Sequence, residues 1–362
     1  MINVTKTYLP DPEKYKSYID KIFESGWLTN NGQFTKKLQA ELADYLGLNN
    51  ILLVSNGTIA LQLAYKLAGI AGDVLTTPFS FVATTSTLVW EGLNPVFVDI
   101  DPKSYNLDPK NIEKSITPKT SAIVATHVFG NPCDIEEIEF YSKKYNLKVI
   151  YDAAHAFGVK YNGESLLNFG DISTISFHST KLFHTIEGGA IVFKDKNLFE
   201  KAKNMINFGI KSPTEISGLG INAKLNEFQS AMGLCVLEDV DRIMEDRKKK
   251  YEVYYESFYS NKQVSLQFRN SRGTLNYSHF PILFKSEDIL NNVIKELNAL
   301  EIYPRRYFYP SLDTLNYLSS VNYMEISNDI AKRILCLPLY DSLPDEIQEK
   351  IIKVILQLTE EN

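Results

Sequence analysis

Cysteine is scarce in this chain, and its scarcity argues against two kinds of scaffold. The 362 residues contain only three cysteines, Cys133, Cys235 and Cys336, which lie far apart and form no Cys-x-x-Cys pair. Because a disulfide framework or a zinc site needs several suitably spaced cysteines, we expect neither. Histidine is also rare, with five residues and no His-x-x-x-His pair, so no metal site is expected. These counts are typical of a reduced, cytoplasmic protein.

Positive charge and long hydrophobic runs are missing as well. The net charge is −6, so there is no basic excess to neutralise the phosphates of a nucleic acid. No apolar stretch approaches the ~20 residues that a membrane span requires. The first residues lack the charged leader and apolar core of a signal peptide. We therefore expect a cytoplasmic protein with no nucleic-acid partner and no membrane partner.

Short apolar runs alternate with helix-like segments between about residues 50 and 195. Continuous apolar strands separated by helices predict an α/β fold, with a mostly parallel sheet covered by helices on both faces. The seven predicted strands are residues 51–54, 74–77, 95–98, 122–126, 148–151, 174–177 and 190–193.

The length of the chain predicts two domains, because 362 residues are many for one hydrophobic core. A long helical stretch over about 226–260 follows a glycine-rich loop at 217–222. We place the boundary near residue 240, which gives a large domain at 1–240 and a small one at 241–362. The small domain is predicted to contain a strand at 278–284 and a helix at 287–299.

Lys181 and Asp152 are the strongest candidates for chemistry. Asp152 ends a predicted parallel strand, at the sheet edge where such folds bind ligands, and Lys181 follows 29 positions later. A lysine for a Schiff base and a carboxylate for the pyridinium nitrogen are what pyridoxal phosphate (PLP) needs. Taken alone, Asp152 could equally be a helix-capping or turn residue, and Lys181 could be a solvated surface lysine. Apolar neighbours such as Phe177 and Phe183 would lower the pKa of the lysine toward the neutral, nucleophilic form.

Two further features suit the same coenzyme, but a purely structural role would explain each of them as well. Ser55-Asn56-Gly57-Thr58 lies between a predicted strand and helix, where backbone N–H groups and a hydroxyl can bind phosphate. The tetrad is neither a Walker loop nor a dinucleotide fingerprint, and it also suits a helix N-cap. His155 suits a coenzyme contact or a core hydrogen bond better than a metal site.

Six motifs in order resemble the fold-type I PLP-dependent aminotransferases that act on nucleotide-linked keto sugars. The resemblance covers nearly the whole chain and implies an aspartate-aminotransferase-like large domain with a mostly parallel seven-stranded sheet, plus a smaller C-terminal α+β domain. It also implies PLP as the cofactor, alternating with pyridoxamine phosphate. The motifs occupy residues 26–29, 55–58, 78–84, 152–156, 176–181 and 220–227.

The resemblance implies three catalytic residues. Lys181 would carry the coenzyme as a Schiff base and move the proton between coenzyme and sugar. Asp152 would pair with the pyridine nitrogen, and His155 would lie near the phenolic oxygen.

The other implied coenzyme contacts divide between the phosphate and the ring. Gly57, Thr58 and Ser176 would hold the phosphate, and Phe81 would stack on the face of the ring. Asn222 would reach the phosphate bound by the neighbouring subunit, which implies a homodimer with shared sites.

The implied reaction takes an amino group from L-glutamate to a nucleotide-linked keto sugar. The stretch 182–189 and the segment 305–310 resemble the branch that aminates C4 of dTDP-linked 4-keto-6-deoxy sugars, so we expect dTDP-4-dehydro-6-deoxy-D-glucose as acceptor. The amino sugar would serve glycan, O-antigen or natural-product biosynthesis. Candidate substrate contacts are Thr29, His184, Arg305 and Arg306, although a surface pair explains the two arginines equally well.

Several alternatives remain open from the sequence. A C3-aminating or UDP-sugar aminotransferase of the same family is one alternative, because the shape of the pocket decides the sugar, the nucleotide and the position. A PLP-dependent lyase or dehydratase would use the same fold, but sugar-dehydrating relatives carry histidine in place of Lys181, which favours amination. A non-catalytic regulator is opposed by the intact Lys181 and Asp152 pair and by the lack of a basic tail.

Overall fold

The computed structural model describes residues 1–318 and 322–360, and its centre is a seven-stranded sheet. All seven predicted strands are confirmed, with bounds that differ from the prediction by at most two residues. The sheet order is β2-β10-β9-β6-β5-β3-β4, and only β10 runs antiparallel to its neighbours. The described strands are β1 (Ile2–Asn3), β2 (Ile51–Val54), β3 (Asp73–Thr76), β4 (Asn94–Phe97), β5 (Thr120–Thr126), β6 (Lys148–Asp152), β7 (Lys160–Tyr161), β8 (Glu164–Ser165), β9 (Ile172–Ser176), β10 (Gly189–Phe193), β11 (Ile210–Ser212), β12 (Glu215–Ile216), β13 (Val264–Leu266), β14 (Phe280–Phe284), β15 (Ile302–Tyr303) and β16 (Ile334–Leu337).

Helices cover both faces of this sheet, as continuous apolar strands require. On one face, α2 and α8 pack a large apolar cluster against the sheet; on the other, α3, α4 and α7 supply a second one. The described helices are α1 (Pro12–Ser25), α2 (Gln33–Leu46), α3 (Gly57–Ala68), α4 (Val82–Trp90), α5 (Ile112–Ser115), α6 (Ile135–Tyr145), α7 (Lys196–Met205), α8 (Glu227–Phe258), α9 (Glu287–Ala299), α10 (Glu325–Arg333) and α11 (Asp345–Glu360). Within the described ranges, no helix combines the length and apolar character needed to cross a membrane.

The C-terminal part is a smaller α+β unit with its own apolar cluster. Its antiparallel sheet has the order β13-β14-β16, and α9 and α11 pack in the same cluster. The predicted strand at 278–284 and helix at 287–299 correspond to β14 and α9. Helix α8 contributes to both this cluster and that of the large part, so the predicted boundary near residue 240 falls inside one helix and stays a prediction.

The parallel strands bring their carboxyl ends to one edge of the large sheet. In the register, Thr126 at the end of β5 lies opposite Asp152 at the end of β6, and Asp152 lies opposite Thr174 in β9. Helix α3 begins at the same edge, directly after β2. Side chains from distant parts of the sequence therefore meet there, as in other open α/β sheets.

Candidate active site

A cavity of about 660 Å³ lies at this edge of the sheet, between the large part and the C-terminal part. Eight of the predicted site residues line it: Gly57, Thr58, Phe81, Asp152, His155, Ser176, Lys181 and Arg305. A second cavity of about 720 Å³ is lined by none of the predicted residues. The convergence of a lysine, a carboxylate, a histidine and a helix N-terminus makes the first cavity the candidate active site.

The start of α3 forms one end of the cavity. The Asn56 side chain accepts a hydrogen bond from Ile59 N at 2.8 Å and caps the helix, so the N-cap reading of this tetrad is confirmed. A Cβ atom on Gly57 would come within 2.9 Å of the Ser176 Cβ, so only glycine allows β9 to lie this close. The positive end of a twelve-residue helix thus faces the cavity beside hydroxyl groups, which is a suitable arrangement for a phosphate.

Asp152 lies at the bottom of the cavity, 5% exposed, with both carboxylate oxygens accepting hydrogen bonds. Its Oδ2 accepts from Thr84 Oγ1 at 2.7 Å, and its Oδ1 accepts from Ala154 N at 3.1 Å. Burial raises the pKa of this carboxyl, while the two hydrogen bonds and the charge of Lys181 act in the opposite direction. A cationic ring nitrogen would supply the close positive partner that a buried carboxylate requires.

Lys181 lines the cavity from the turn after β9, where its backbone N–H donates to His178 O at 2.9 Å. Its neighbours Phe177 and Phe183 are fully buried, as expected. Burial lowers the pKa of Lys181 from 10.5 to about 8, and the charge of Asp152 limits this shift. A much larger fraction of this amine is therefore neutral near pH 7 than in a solvated lysine, which suits attack on an aldehyde.

His155 is held by aromatic stacking rather than by ring hydrogen bonds. Its ring lies parallel to Phe308 at 5.7 Å between centroids and to Phe129 at 6.2 Å. Its buried Nδ1 has no hydrogen-bond partner among the described residues. Burial, followed by the charges of Lys181 and His279, holds the pKa of His155 well below its usual range. A neutral imidazole with one unused polar atom is therefore available to a bound molecule.

The structure adds residues that the sequence motifs did not single out. His279, at 4.5 Å from the His155 ring, lines the cavity and precedes β14. Thr5, from the N-terminal segment, and Tyr307 line it as well. Thr84 does not line the cavity but holds Asp152. Thr84 lies in the 78–84 motif, so its position three residues after Phe81 could have marked it as a site residue. Nothing in the local sequence marks His279, because the fold of the small part brings it to the cavity.

Four predicted residues do not line this cavity: Thr29, Asn222, His184 and Arg306. Thr29 is exposed, and Asn222 is exposed in a bridge to Asn207. His184 is buried, with Nε2 at 2.8 Å from Tyr8 O and Nδ1 accepting from Ile186 N at 3.2 Å. Their predicted roles as substrate or coenzyme contacts stay predictions.

Arg305 and Arg306, which the sequence could not separate, have different surroundings. Arg305 is exposed, lines the cavity, and lies 4.8 Å above the Tyr307 ring; it forms no ion pair within the described ranges. Arg306 lies outside the cavity lining and donates to Glu287 Oε1 at 2.9 Å and to Lys332 O at 2.8 Å. It also lies 3.8 Å above the ring of Tyr309. Arg306 therefore ties together elements of the small part.

The donor set of the cavity fits PLP. The helix N-terminus beside Ser176 suits the phosphate, the buried Asp152 suits the ring nitrogen, and the orphaned His155 Nδ1 offers a polar contact. Lys181 is close enough to Asp152 and His155 to shift the pKa of both. Across residues 1–318 and 322–360, no group of three or more His, Cys, Asp or Glu side chains is arranged to hold a metal ion.

Comparisons with known proteins agree with this chemistry. The model of the DegT/DnrJ/EryC1/StrS aminotransferase family matches residues 11–356. Two relatives named dTDP-4-amino-4,6-dideoxy-D-glucose transaminase are similar over almost the full length. That from Shigella dysenteriae is 43% identical, covering 99% of each chain; that from Escherichia coli is 38% identical, covering 98% of each.

A solved structure extends the likeness to three dimensions. DesI, crystallised in the presence of its TDP-sugar product, superposes with a TM-score of 0.93 at 29% identity, covering 99% of this chain and 93% of DesI. The match over residues 11–356 and the full-length relatives establish the family. The chain belongs to the DegT/DnrJ/EryC1/StrS aminotransferase family and is a PLP-dependent aminotransferase of fold type I.

Proposed function

We propose that this protein transfers an amino group from L-glutamate to C4 of dTDP-4-dehydro-6-deoxy-D-glucose, acting as a cytoplasmic homodimer with shared active sites. The observation that carries the proposal is that Lys181 and Asp152 line one cavity. The chain also matches, over 99% of its length, a relative named dTDP-4-amino-4,6-dideoxy-D-glucose transaminase. That name places the nitrogen at C4 of a dTDP-sugar in the relative.

The proposed coenzyme site uses six of the residues that line the cavity. When bound, PLP stores the amino group of the donor and delivers it to the ketone of the acceptor. Asp152 would keep a proton on the ring nitrogen, and His155 would lie near the phenolic oxygen. Gly57 and Thr58 at the start of α3 would bind the phosphate together with Ser176. Phe81, 52% exposed at the start of α4, would stack on the face of the ring.

Lys181 moves the proton in both halves of the reaction. Its Nζ removes a proton from the donor carbon and later returns one to the sugar carbon, so the group must gain and lose a proton near neutral pH. A pKa of about 8 suits both steps, because general acid–base catalysis works best when the pKa is close to the working pH. Two half-reactions through one site predict ping-pong kinetics.

Arg305 is the cavity cation for an anionic substrate group. Its guanidinium is exposed, lines the cavity and has no ion-pair partner among the described residues, whereas Arg306 is engaged by Glu287 and by main-chain carbonyls. A planar guanidinium binds a carboxylate or a diphosphate bidentately. The glutamate carboxylate and the nucleotide diphosphate share this chemistry, and separate measurements with donor and acceptor distinguish them.

The homodimer is supported by exposed apolar side chains beside the site. Phe81, which lines the same cavity as Lys181, is exposed, and so is Ile186, which follows Lys181 closely in the sequence. Trp90, at the end of α4, is 83% exposed. Further exposed apolar residues, Phe208, Ile210, Ile216, Leu219 and Ile221, surround the segment that carries Asn222. Apolar residues concentrated in this way are typical of a subunit interface. A second copy covering them would bring its Asn222 to the phosphate.

Product analysis tests the proposal directly. The purified holoenzyme is incubated with L-glutamate and, in parallel, with 4-keto and 3-keto sugars carried by dTDP or UDP; the product is identified by mass and by NMR of the aminated carbon. We expect a dTDP-4-amino sugar and stoichiometric 2-oxoglutarate. A product aminated at C3, a preference for UDP, or loss of water without nitrogen transfer would each overturn the proposal. Lys181→Ala gives the background rate.

A further inference from the structure

A row of three buried hydroxyl groups leads to Asp152. Thr126 Oγ1 donates to Ser80 Oγ at 3.0 Å, Ser80 Oγ and Thr84 Oγ1 are 2.7 Å apart, and Thr84 Oγ1 donates to Asp152 Oδ2 at 2.7 Å. All three hydroxyl residues are at most 3% exposed. The row begins at the end of β5, passes through the loop before α4, and ends at the carboxylate on β6.

The direction of donation along the row follows from the number of protons. A hydroxyl group has one proton to donate. Because Thr84 spends its proton on Asp152, the proton between Ser80 and Thr84 must come from Ser80, which leaves Ser80 to accept from Thr126. All three bonds therefore point toward the carboxylate. Hydrogen bonds aligned in this way polarise one another, so each strengthens the next.

We propose that Thr84, Ser80 and Thr126 are positioning residues that hold Asp152 in its ionised form, with a lone pair free for the coenzyme ring nitrogen. The inference concerns coenzyme binding and is independent of the sugar in the proposed function. Ser80 and Thr126 also line the cavity, whereas Thr84 does not, so Thr84 gives the clearest test of a role that acts only through Asp152.

The need for such a device follows from the burial of Asp152. Burial raises the pKa of the carboxyl, and a protonated carboxyl cannot keep a proton on the ring nitrogen. Donors from Thr84 to Oδ2 and from Ala154 to Oδ1 favour the charged form. An ionised carboxylate has about four acceptor positions, so each oxygen keeps one for a further donor. The hydroxyl row thus favours ionisation without occupying the whole carboxylate.

Thr85 provides a matched control within the same helix. Thr84 and Thr85 are adjacent in α4 and are both 0% exposed, yet the Thr85 hydroxyl has no hydrogen-bond partner among the described residues. Replacement of either by valine removes one hydroxyl group at nearly constant volume. The two variants therefore differ in whether the lost hydroxyl belonged to the row.

The experiment measures the affinity of the apoprotein for two forms of the coenzyme. Pyridoxal phosphate and its 1-deaza analogue, which has carbon in place of the ring nitrogen, are each titrated into the apoprotein and followed by absorbance. Thr84→Val should weaken binding of pyridoxal phosphate by about 10- to 100-fold, the range expected for a lost hydrogen bond to a charged group. Its affinity for the deaza analogue should match that of the unaltered protein.

The other variants measure how the loss of coenzyme affinity depends on the position of the hydroxyl group in the row. Thr84→Ser, which keeps the hydroxyl, should restore affinity to within about threefold, and Thr85→Val should leave it unchanged. Ser80→Ala should cost several-fold and Thr126→Val less, because polarisation fades with each bond. Thermal unfolding of each apoprotein checks that it folds, and Ser80→Ala tests the idea if Thr84→Val does not fold.

Two results would overturn the proposal. Equal losses for the coenzyme and its deaza analogue in Thr84→Val would mean that the residue only shapes the cavity. Unchanged affinity for both in Thr84→Val and Ser80→Ala would mean that the row does not act on Asp152. Neither result depends on amination of any sugar, so failure here and failure of the proposed substrate are distinguishable.

Discussion

The cavity has a floor and a rim that are built in different ways. The floor consists of Asp152, His155 and Lys181; a hydrogen bond from the buried Thr84 fixes Asp152, and ring stacking fixes His155. The rim consists of Phe81, Glu187 and Arg305, which are exposed although they line the same cavity. Groups that tune the coenzyme need a low dielectric and one geometry, whereas groups that admit a substrate must stay accessible. One chain completes the floor, whereas the side chains of the rim are open to solvent.

Loss of the lysine at the floor should have the largest effect. Lys181→Ala removes both the covalent anchor and the proton carrier, so the transamination rate should fall by on the order of a thousandfold or more. The apoprotein should still fold, because the apolar residues around this position remain. Enzyme assays and thermal unfolding measure the two properties, with the exposed Lys160→Ala as control. Retained turnover would show that another amine serves as the anchor.

Substitution of the two arginines should distinguish a residue that binds substrate at the rim from a residue that stabilises the small part. Arg305→Met should raise the KM of either the donor or the nucleotide sugar by about 10- to 100-fold, because a charge-assisted contact is lost, with little change in Tm. Arg306→Met should instead lower stability by about 1–3 kcal/mol, because it breaks contacts with Glu287 and Lys332. Steady-state kinetics with each substrate varied and thermal unfolding check both variants. A raised KM in Arg306→Met, with lowered stability in Arg305→Met, would show that Arg306 is the substrate-binding arginine.

The pH dependence of coenzyme capture reports on the floor directly. Only the neutral amine attacks the aldehyde, so the rate of covalent capture by the apoprotein should rise with pH and level off above a pKa of about 8. At pH 7 roughly one tenth of such an amine is neutral, so the plateau lies about tenfold higher. Stopped-flow absorbance with borohydride trapping measures the profile. A rate that keeps rising toward pH 10.5, the value of a solvated lysine, would contradict a buried, desolvated Lys181.

Subunit mixing tests the proposed shared site and should give a smaller effect. In the proposed homodimer, Asn222→Ala should weaken coenzyme retention several-fold, because it would remove one hydrogen bond to the phosphate bound by the partner. In a mixed dimer of Lys181→Ala and Asn222→Ala subunits, the subunit that keeps Lys181 receives an intact Asn222 from its partner. Co-expressed and purified mixed dimers should therefore regain normal retention in one of their two sites. No recovery would place Asn222 in the site of its own subunit, or outside both.

Much of the floor could be predicted from local sequence because its parts are attached to strand ends. Asp152 ends β6, and Gly57 starts α3 directly after β2, so a parallel sheet brings both to one edge whatever the loops do. The aromatic and aliphatic residues around Lys181 likewise predicted a desolvated amine, and Phe177 and Phe183 are buried as expected.

The sequence predicted less wherever a role depends on contacts between distant segments. Nothing adjacent to His279 marks it as a neighbour of His155, because the packing of β14 against the large part, through Leu283, decides that. Arg305 and Arg306 are consecutive, yet only one lines the cavity; the backbone direction at that point decides which.

The sequence by itself predicted the α/β class and the seven strands, because these depend on apolar periodicity. It also predicted PLP as the coenzyme and named Lys181 and Asp152 as the candidates to hold it, and both line one cavity. The tertiary structure decided which arginine faces the cavity and which histidine joins His155. It also revealed the three hydroxyl groups aligned on Asp152, since Thr126 and Thr84 are 42 positions apart and meet only across the sheet. Hydrogen bonds between such groups exist only once the strands have paired and excluded water.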